Sequence, residues 1–290
     1  MSTIQVEGLK KYYGRHRGLE SATFEVNQGE IFGFVGPNGA GKTTLIRLLL
    51  GLIHKTGGTA TIFDHDIEVN NALLNKSIGY LPSEAFFFPE MSVQGVLEFY
   101  QKMRKIDSTK VAEMTKRFEL DPTKKVEELS FGNKKKLGIV IALMHEPKLL
   151  ILDEPTTGLD PLMQQIFLDT LLEEKKKGVT IFLSSHILSE VEKICDRVAI
   201  IRDGVVNQVF EMNSVKQFEH KVVYLQPPVL DSKIHGLKLV SEKNGNGTYD
   251  YHGNIDFLIK ELAKYSLTNV TIRDASLEEI FIKYYQKEVL

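Results

Sequence analysis

An α/β fold with a mainly parallel sheet core is predicted by three observations. Between residues 31 and about 201, strand-length apolar runs alternate with segments of helical periodicity, the pattern of a parallel sheet whose ligands sit at the strands' carboxyl ends. The glycine-rich stretch Gly36-Pro37-Asn38-Gly39-Ala40-Gly41-Lys42-Thr43-Thr44 stands between one such strand and one such helix, and it fits the phosphate-loop pattern G-x-x-x-x-G-K-[ST]. After Met212 the character changes to hairpins and short helical stripes, which predicts a separate small α+β domain. The expected division is 1–212 for the larger domain, with an inserted helical subdomain over about 84–147, and 213–290 for the smaller one.

The elements follow in order. Residues 3–7 and 22–26 alternate apolar and polar and read as strands. The turn at 27–30 feeds the apolar run 31–35, which leads into the phosphate loop. Leu45, Leu48 and Leu49 place a helix after the loop. Residues 59–63 and 78–81 read as strands, the second ended by Pro82. Val93, Val96 and Leu97 mark one helix, and Val111, Met114 and Phe118 a second that begins at Asp107-Ser108. A third begins after Ser130, with Leu137, Val140, Ile141 and Met144 on its apolar face; the triplet Lys134-Lys135-Lys136 reads as a solvated face, the alternative being that one of its lysines helps steer nucleotide. Residues 149–152 are a strand ending in Asp153-Glu154, followed by a helix from Pro161, a strand at 179–183, a helix at 187–194 and a strand at 198–201. In the smaller domain, 222–225 is a strand, and Asn244-Gly245-Asn246-Gly247 turns a hairpin between 238–242 and 248–252. Ile255, Leu258, Ile259 and Leu262 form a helical stripe, and Ser276-Leu277-Glu278-Glu279 is a capping box opening a stripe of Leu277, Ile280, Phe281 and Tyr284.

The loop carries its own chemistry. Its glycines let the backbone approach a polyphosphate, and its amides form a nest at the positive end of a helix. Lys42 would reach the β/γ-phosphates, and the Thr43 hydroxyl would complete a Mg²⁺ shell. A Mg·nucleoside triphosphate is the expected ligand. Composition narrows the partners. The 290 residues carry 36 Lys+Arg against 38 Asp+Glu, net −2, so no basic excess points to nucleic acid. A single cysteine, Cys195, excludes an internal disulfide and fits a reducing compartment. No signal peptide is read at the N-terminus, and no run approaches the roughly 18 apolar residues of a spanning helix. Any membrane work therefore calls for a separate spanning chain. His65 and His145 lack partners at metal-ligand spacing, so no structural metal is expected.

Further motifs stand in a telling order. Leu129-Ser130-Phe131-Gly132-Asn133 precedes the strand that ends in Asp153-Glu154; Pro155, then Gly158-Leu159-Asp160-Pro161, and later Ser184-Ser185-His186 follow it. This set resembles the ATP-binding-cassette (ABC) ATPases across about residues 3–210: phosphate loop, signature, Walker B strand, D-loop and switch histidine. The resemblance implies ATP and Mg²⁺ as ligands, with Asp153 on the metal and Glu154 activating the attacking water. It also implies two cassettes closing head to tail. Ser130 and Gly132 would then touch the γ-phosphate held by the partner, Asp160 would line the seam, and His186 would sense the γ-phosphate. Tyr13 matches the adenine-stacking aromatic, with Tyr12 the alternative.

Two departures from the family pattern stand out. Phe131 and Asn133 alter the usual Leu-Ser-Gly-Gly-Gln, although the two contact positions are kept. Ser83 replaces the usual glutamine after the strand 78–81; its shorter hydroxyl, or the carboxylate of Glu84, is left to serve the metal. The expected function is the ATPase subunit of a membrane transporter, working with a separate permease and a second cassette, a homodimer being expected, at the cytoplasmic face of the membrane. Residues 276–281 are similar to the ends of drug- and peptide-exporter subunits, which favours export of peptides, toxins or drugs. The alternative is a soluble ABC protein of translation or DNA repair.

Overall fold

The computed structural model describes every residue except 70, 213–219, 230–233, 277 and 280–290. The chain divides into two compact units, Met1–Phe210 and Glu211–Leu290.

The first unit is built on a ten-stranded sheet in the order β5-β4-β1-β2-β10-β9-β3-β8-β7-β6. Its parallel part comprises β3 (Ile31–Val35), β6 (Ile78–Leu81), β7 (Leu149–Asp153), β8 (Thr180–Ser185) and β9 (Arg197–Arg202). Every residue of β3, β7 and β8 is buried, as expected for strands covered on both faces. The rest adds a wing that the mainly parallel expectation did not include. There β1 (Ser2–Tyr13) and β2 (His16–Asn27) form one long antiparallel hairpin, joined by β4 (Gly57–Ile62) and the short β5 (His65–Asp66). Phe24 of β2 packs with Phe32 and Phe34 of β3 and Phe182 of β8, with ring centroids 5.4 to 6.0 Å apart. These rings weld the wing to the parallel strands. A strand β10 (Val205–Glu211), not expected from the sequence, follows β9 and pairs with β2.

Helices α1 (Lys42–Leu49), α2 (Asn71–Ser77), α3 (Val93–Arg104), α4 (Ser108–Arg117), α5 (Phe131–Leu143), α6 (Pro161–Lys176) and α7 (Leu188–Ile194) complete this unit. Ser92, Asp107, Ser130 and Asp160 cap α3, α4, α5 and α6 by accepting from backbone amides, which places the helix starts where their side-chain chemistry demands. Helix α5 departs from the expected one-sided stripe. Lys135, at 2% exposure, and Lys136 are buried, as are residues 137–140, while Lys134 is half-buried. The lysine triplet is not a solvated face, because α5 is covered on more than one side. Cys195 is buried, and burial pushes its thiol far above the ordinary range. Among the described residues no helix is long and apolar enough to cross a membrane.

In the second unit, β11 (His220–Gln226), β12 (Leu237–Lys243), β13 (Asn246–His252) and β14 (Asn269–Asp274) form an antiparallel sheet in the order β12-β13-β11-β14. The β12–β13 turn puts Asn244 and Gly245 at φ 50° and 72°, the left-handed pair that a two-residue hairpin needs. Helix α8 (Ile255–Leu262) is capped by Asn254, and its Leu258 and Leu262 join Val223, Leu225, Tyr249 and Tyr251 in the core. The capping box is present: the Ser276 hydroxyl accepts from the Glu279 amide at 3.3 Å, and Glu279 accepts from the Ser276 amide at 2.9 Å. Arg273 grips both oxygens of Glu279 at 2.7 and 2.8 Å, holding that carboxyl down at about 2. The stripe of Leu277, Ile280, Phe281 and Tyr284 lies outside the described residues.

Candidate nucleotide site

Four neighbouring parallel strands end at one edge of the sheet. Val35 of β3 is level with Ser185 of β8, Ser184 with Asp153 of β7, and Leu152 with Leu81 of β6. The phosphate loop, His186, the Asp153-Glu154 pair and Ser83 are therefore neighbours by register, although up to 150 residues separate Gly36 from His186.

The loop is fixed from behind. A Cβ on Gly36 would fall 2.3 Å from the Ile201 carbonyl oxygen, and one on Gly41, at φ 108°, would fall 2.6 Å from that of Gly18. Only glycine permits these approaches. The Ala40 carbonyl accepts from the Gly204 amide at 3.0 Å, which ties the loop to the β9–β10 turn. At the start of α1, Lys42 is 6% exposed; its Nζ donates to the carbonyls of Gly36 at 2.7 Å and Pro37 at 3.2 Å. The same ammonium pairs with Glu154 Oε1 at 3.2 Å.

Asp153 is fully buried and both of its oxygens are engaged. Thr43 Oγ1 donates to Oδ2 at 2.9 Å, and Ser184 Oγ donates to Oδ1 at 2.6 Å. Ser184 Oγ also accepts from the Glu154 amide at 3.1 Å. Glu154 has φ 47°, a left-handed conformation that costs a non-glycine residue about 1–2 kcal/mol and turns its side chain out of the strand end. Its Oε2 lies 2.6 Å from His186 Nδ1. Thr156, buried just beyond, donates to Glu190 Oε2 at 2.6 Å, and burial holds the Glu190 carboxyl above its ordinary range.

These groups face a cleft of about 580 Å³ lined by Tyr13, Pro37, Asn38, Gly39, Gly41, Lys42, Thr43, Thr44, Ser83, Glu154 and His186. Glu84, Phe131 and Thr157 also reach it, as do Arg17 and Gly18 from the β1–β2 hairpin. Tyr13 sits at the mouth, its ring over Gly18 and 5.0 Å from Lys11 Nζ. Tyr12 instead donates to the Glu20 carboxylate, and that bond pushes its phenol up. Gly36, Ala40 and Asp153 lie behind the surface that lines the cleft. Thr43 and Asp153, in contact with each other, carry oxygen donors of the kind that a hard divalent cation takes.

Ser130, Gly132 and Asp160 do not line this cleft. Ser130 and Asp160 are exposed and cap α5 and α6 through the Asn133 and Met163 amides, at 3.3 and 2.9 Å. Gly132 is pressed on Gly158, where its Cβ would fall 2.6 Å from the carbonyl oxygen. Phe131, half-exposed, lays its ring against Gly158 from the other side.

Sequence reasoning assigned no contact to Ser184 or Glu190, and it read Lys135 as part of a solvated face. Lys135 Nζ donates to the carbonyls of Ser83 at 3.0 Å, Pro82 at 3.1 Å and Asp153 at 3.4 Å. Burial pulls its pKa down to about 8, against the pull of Asp153, Glu154 and Glu84. Only the register of the sheet and the packing of α5 reveal these contacts.

Comparison with known proteins agrees with this geometry. The family model described as "ABC transporter" matches residues 19–157. The bacitracin transport ATP-binding protein BcrA of Bacillus licheniformis is 34% identical, over 98% of this chain and 97% of its own. The linearmycin resistance ATP-binding protein LnrL of Bacillus subtilis is 36% identical over 69% of this chain and 67% of its own. A solved ATP-binding subunit of an ABC transporter superposes with a TM-score of 0.69 at 29% identity, covering 74% of this chain and 92% of that one. The dimeric cassette MJ0796 bound to ADP and Pi shares the fold, with a TM-score of 0.66 at 20% identity over 72% of this chain and 98% of that one. With strand ends, phosphate loop and acid pair arranged as described, this chain belongs to the ABC transporter family, as one of its ATP-binding subunits.

Proposed function

We propose that this chain hydrolyses Mg·ATP to drive export of peptide antibiotics, toxins or drugs through a separate membrane-spanning permease. The observation that carries the chemistry is the chain Lys42–Glu154–His186, facing one cleft and lying beside the Thr43–Asp153 bond. The cargo follows from BcrA, which matches this chain nearly end to end.

In this reading Tyr13 stacks on the base, while the amides of residues 36–44 and the Lys42 ammonium take the phosphates. Thr43 and Asp153, with Ser83, would hold Mg²⁺, which when bound neutralises phosphate charge. Glu154 accepts the proton of the attacking water as general base. His186 keeps the Glu154 carboxylate oriented, and Ser184 fixes the backbone beneath it. Ser130, Gly132 and Asp160 face outward to serve a second cassette, for which a copy of this chain suffices. Residues 1–212 form the ATPase domain, with 84–147 as its helical part, and 213–290 form an accessory domain. The complex lies at the cytoplasmic face of the membrane.

Phe86 and Phe88, 87% and 73% exposed, flank the partly covered Phe87. They offer aromatic anchors to a permease helix. The deciding experiment is a tagged pull-down from detergent-solubilised membranes followed by phosphate-release assay. Recovery of a multi-span protein together with ATP-dependent phosphate release is the expected result. Recovery of ribosomes or DNA instead, or no phosphate release, would overturn the proposal.

A further inference from the structure

We infer that Lys135 is a positioning residue for ATP hydrolysis, a buried strut that holds the loop after β6 against the carboxyl end of β7. The inference rests on the ATPase reading above.

Its environment is unfavourable to a cation on two counts. The side chain is 2% exposed, and burying an ammonium is costly unless its donors are all satisfied. It also lies at the fifth position of α5, near the positive end of the helix dipole. Among the described residues it has no carboxylate at ion-pair distance; its hydrogen bonds go to main-chain oxygens. A residue there only to fill space would be Leu or Met. What the ammonium adds is three donors on a single atom, shared between two segments far apart in sequence.

Those segments are the ones that hydrolysis must align. The first contains Pro82 and Ser83, and Ser83 lines the cleft. The second ends in Asp153, whose carbonyl directly precedes the left-handed Glu154. The seat of α5 is rigid on this side. A Cβ on Gly138, one turn beyond Lys135, would fall 2.8 Å from Leu81 Cδ1 and 3.5 Å from Ala85 Cβ. A Cβ on Gly79 would fall 2.2 Å from the Ala142 carbonyl oxygen. Helix α5 thus lies directly on β6 and the loop that follows it, and Lys135 spans the remaining distance to β7. The same loop continues to Phe86 and Phe88, so movement there reaches Asp153 and Glu154 through one side chain.

Two variants of the full-length protein test this. Lys135→Met keeps the length and removes every donor; Lys135→Gln keeps the bulk and two amide hydrogens. ATP affinity, kcat, KM, the Mg²⁺ concentration for half-maximal rate and the melting temperature are measured for each. Misalignment by about 1 Å lowers rates on the order of a hundredfold, so kcat should fall in the order wild type, Gln, Met, by tenfold to a hundredfold for Met. ATP affinity, set by the phosphate loop, should stay within about threefold of wild type, while the Mg²⁺ midpoint rises. Equal kcat in all three proteins overturns the inference. So does equal loss in Gln and Met, with affinity and melting temperature falling in parallel, since that marks a packing role. If Lys135→Met does not fold, Lys135→Gln decides alone: lower kcat at unchanged affinity supports the strut, and unchanged kcat overturns it. Wild-type protein that neither binds ATP nor releases phosphate removes the ATPase reading, and this inference with it. Wild-type turnover matched by Lys135→Met removes the inference only.

Discussion

The groups around Glu154 and those around Ser130 differ in how completely they are satisfied within the chain. Near Glu154, Lys42, Thr43, Asp153, Ser184 and His186 are linked to one another by bonds of 2.6 to 3.2 Å. Around Ser130, the motif side chains do nothing inward except cap helices, and Ser130, Phe131 and Asp160 face solvent. The difference teaches that preorganisation is divided. In the proposed reading, the chemical half is assembled by the fold of one chain, while the half offered to a second cassette is presented on its surface. Phe131 is the exception, since it also reaches the chain's own cleft.

The largest test of this division is Glu154→Gln. Loss of the base should lower phosphate release about 10²–10⁴-fold, while ATP binding, measured by equilibrium titration, persists. Near-normal release would remove Glu154 from the role and break the link between the bonded cluster and the chemistry. Next is Lys42→Ala. It removes a charge-assisted contact of about 1.5–3 kcal/mol, so ATP affinity should fall by roughly one to two decades in a folded protein. Unchanged affinity would mean that the cluster does not hold the phosphates.

Ser130→Ala probes the outward half. Loss of the cap should cost about 0.5–2 kcal/mol in chemical denaturation. ATP affinity measured on dilute, unassociated protein should not change, whereas hydrolysis at high protein concentration should drop. A weakened affinity in dilute protein would show that Ser130 serves its own chain's cleft, and the division would fail. The smallest expected effect is from Phe86→Ala and Phe88→Ala. Each should alter stability by no more than about 0.5 kcal/mol, read as melting temperature, while weakening recovery of the permease. Early melting of both variants would place these rings in the core instead.

The phosphate loop and the Asp153-Glu154 pair were legible in the sequence because their chemistry lies in adjacent residues. The alternating exposure of Phe86, Phe87 and Phe88 fits an extended segment, which points successive side chains opposite ways. The engagement of Ser184 with Asp153 was not legible, since it depends on the register between β7 and β8. Lys135 was misread because three consecutive lysines after a helix cap look solvated, and nothing local tells that α5 is enclosed. The strand β14 was missed because its residues are exposed or half-buried at the sheet edge, which leaves no clean alternation. The hairpin β1–β2 outran the expected strands because its outer ends, near Tyr13 and His16, are largely exposed.

The burial of Cys195 bears on how motion in this protein could be watched. It is the chain's single thiol, it is shielded by the β3 and α7 packing around Gly33 and Val191, and its proton is held far more tightly than usual. Maleimide and disulfide reagents attack thiolates that solvent can reach, so the native protein presents them with almost nothing. A cysteine introduced at an exposed position, such as 86 or 88, would be the sole reporter without any prior removal of Cys195. Spin or fluorescent labels there could follow the loop after β6 during turnover, against a background that the fold itself keeps silent.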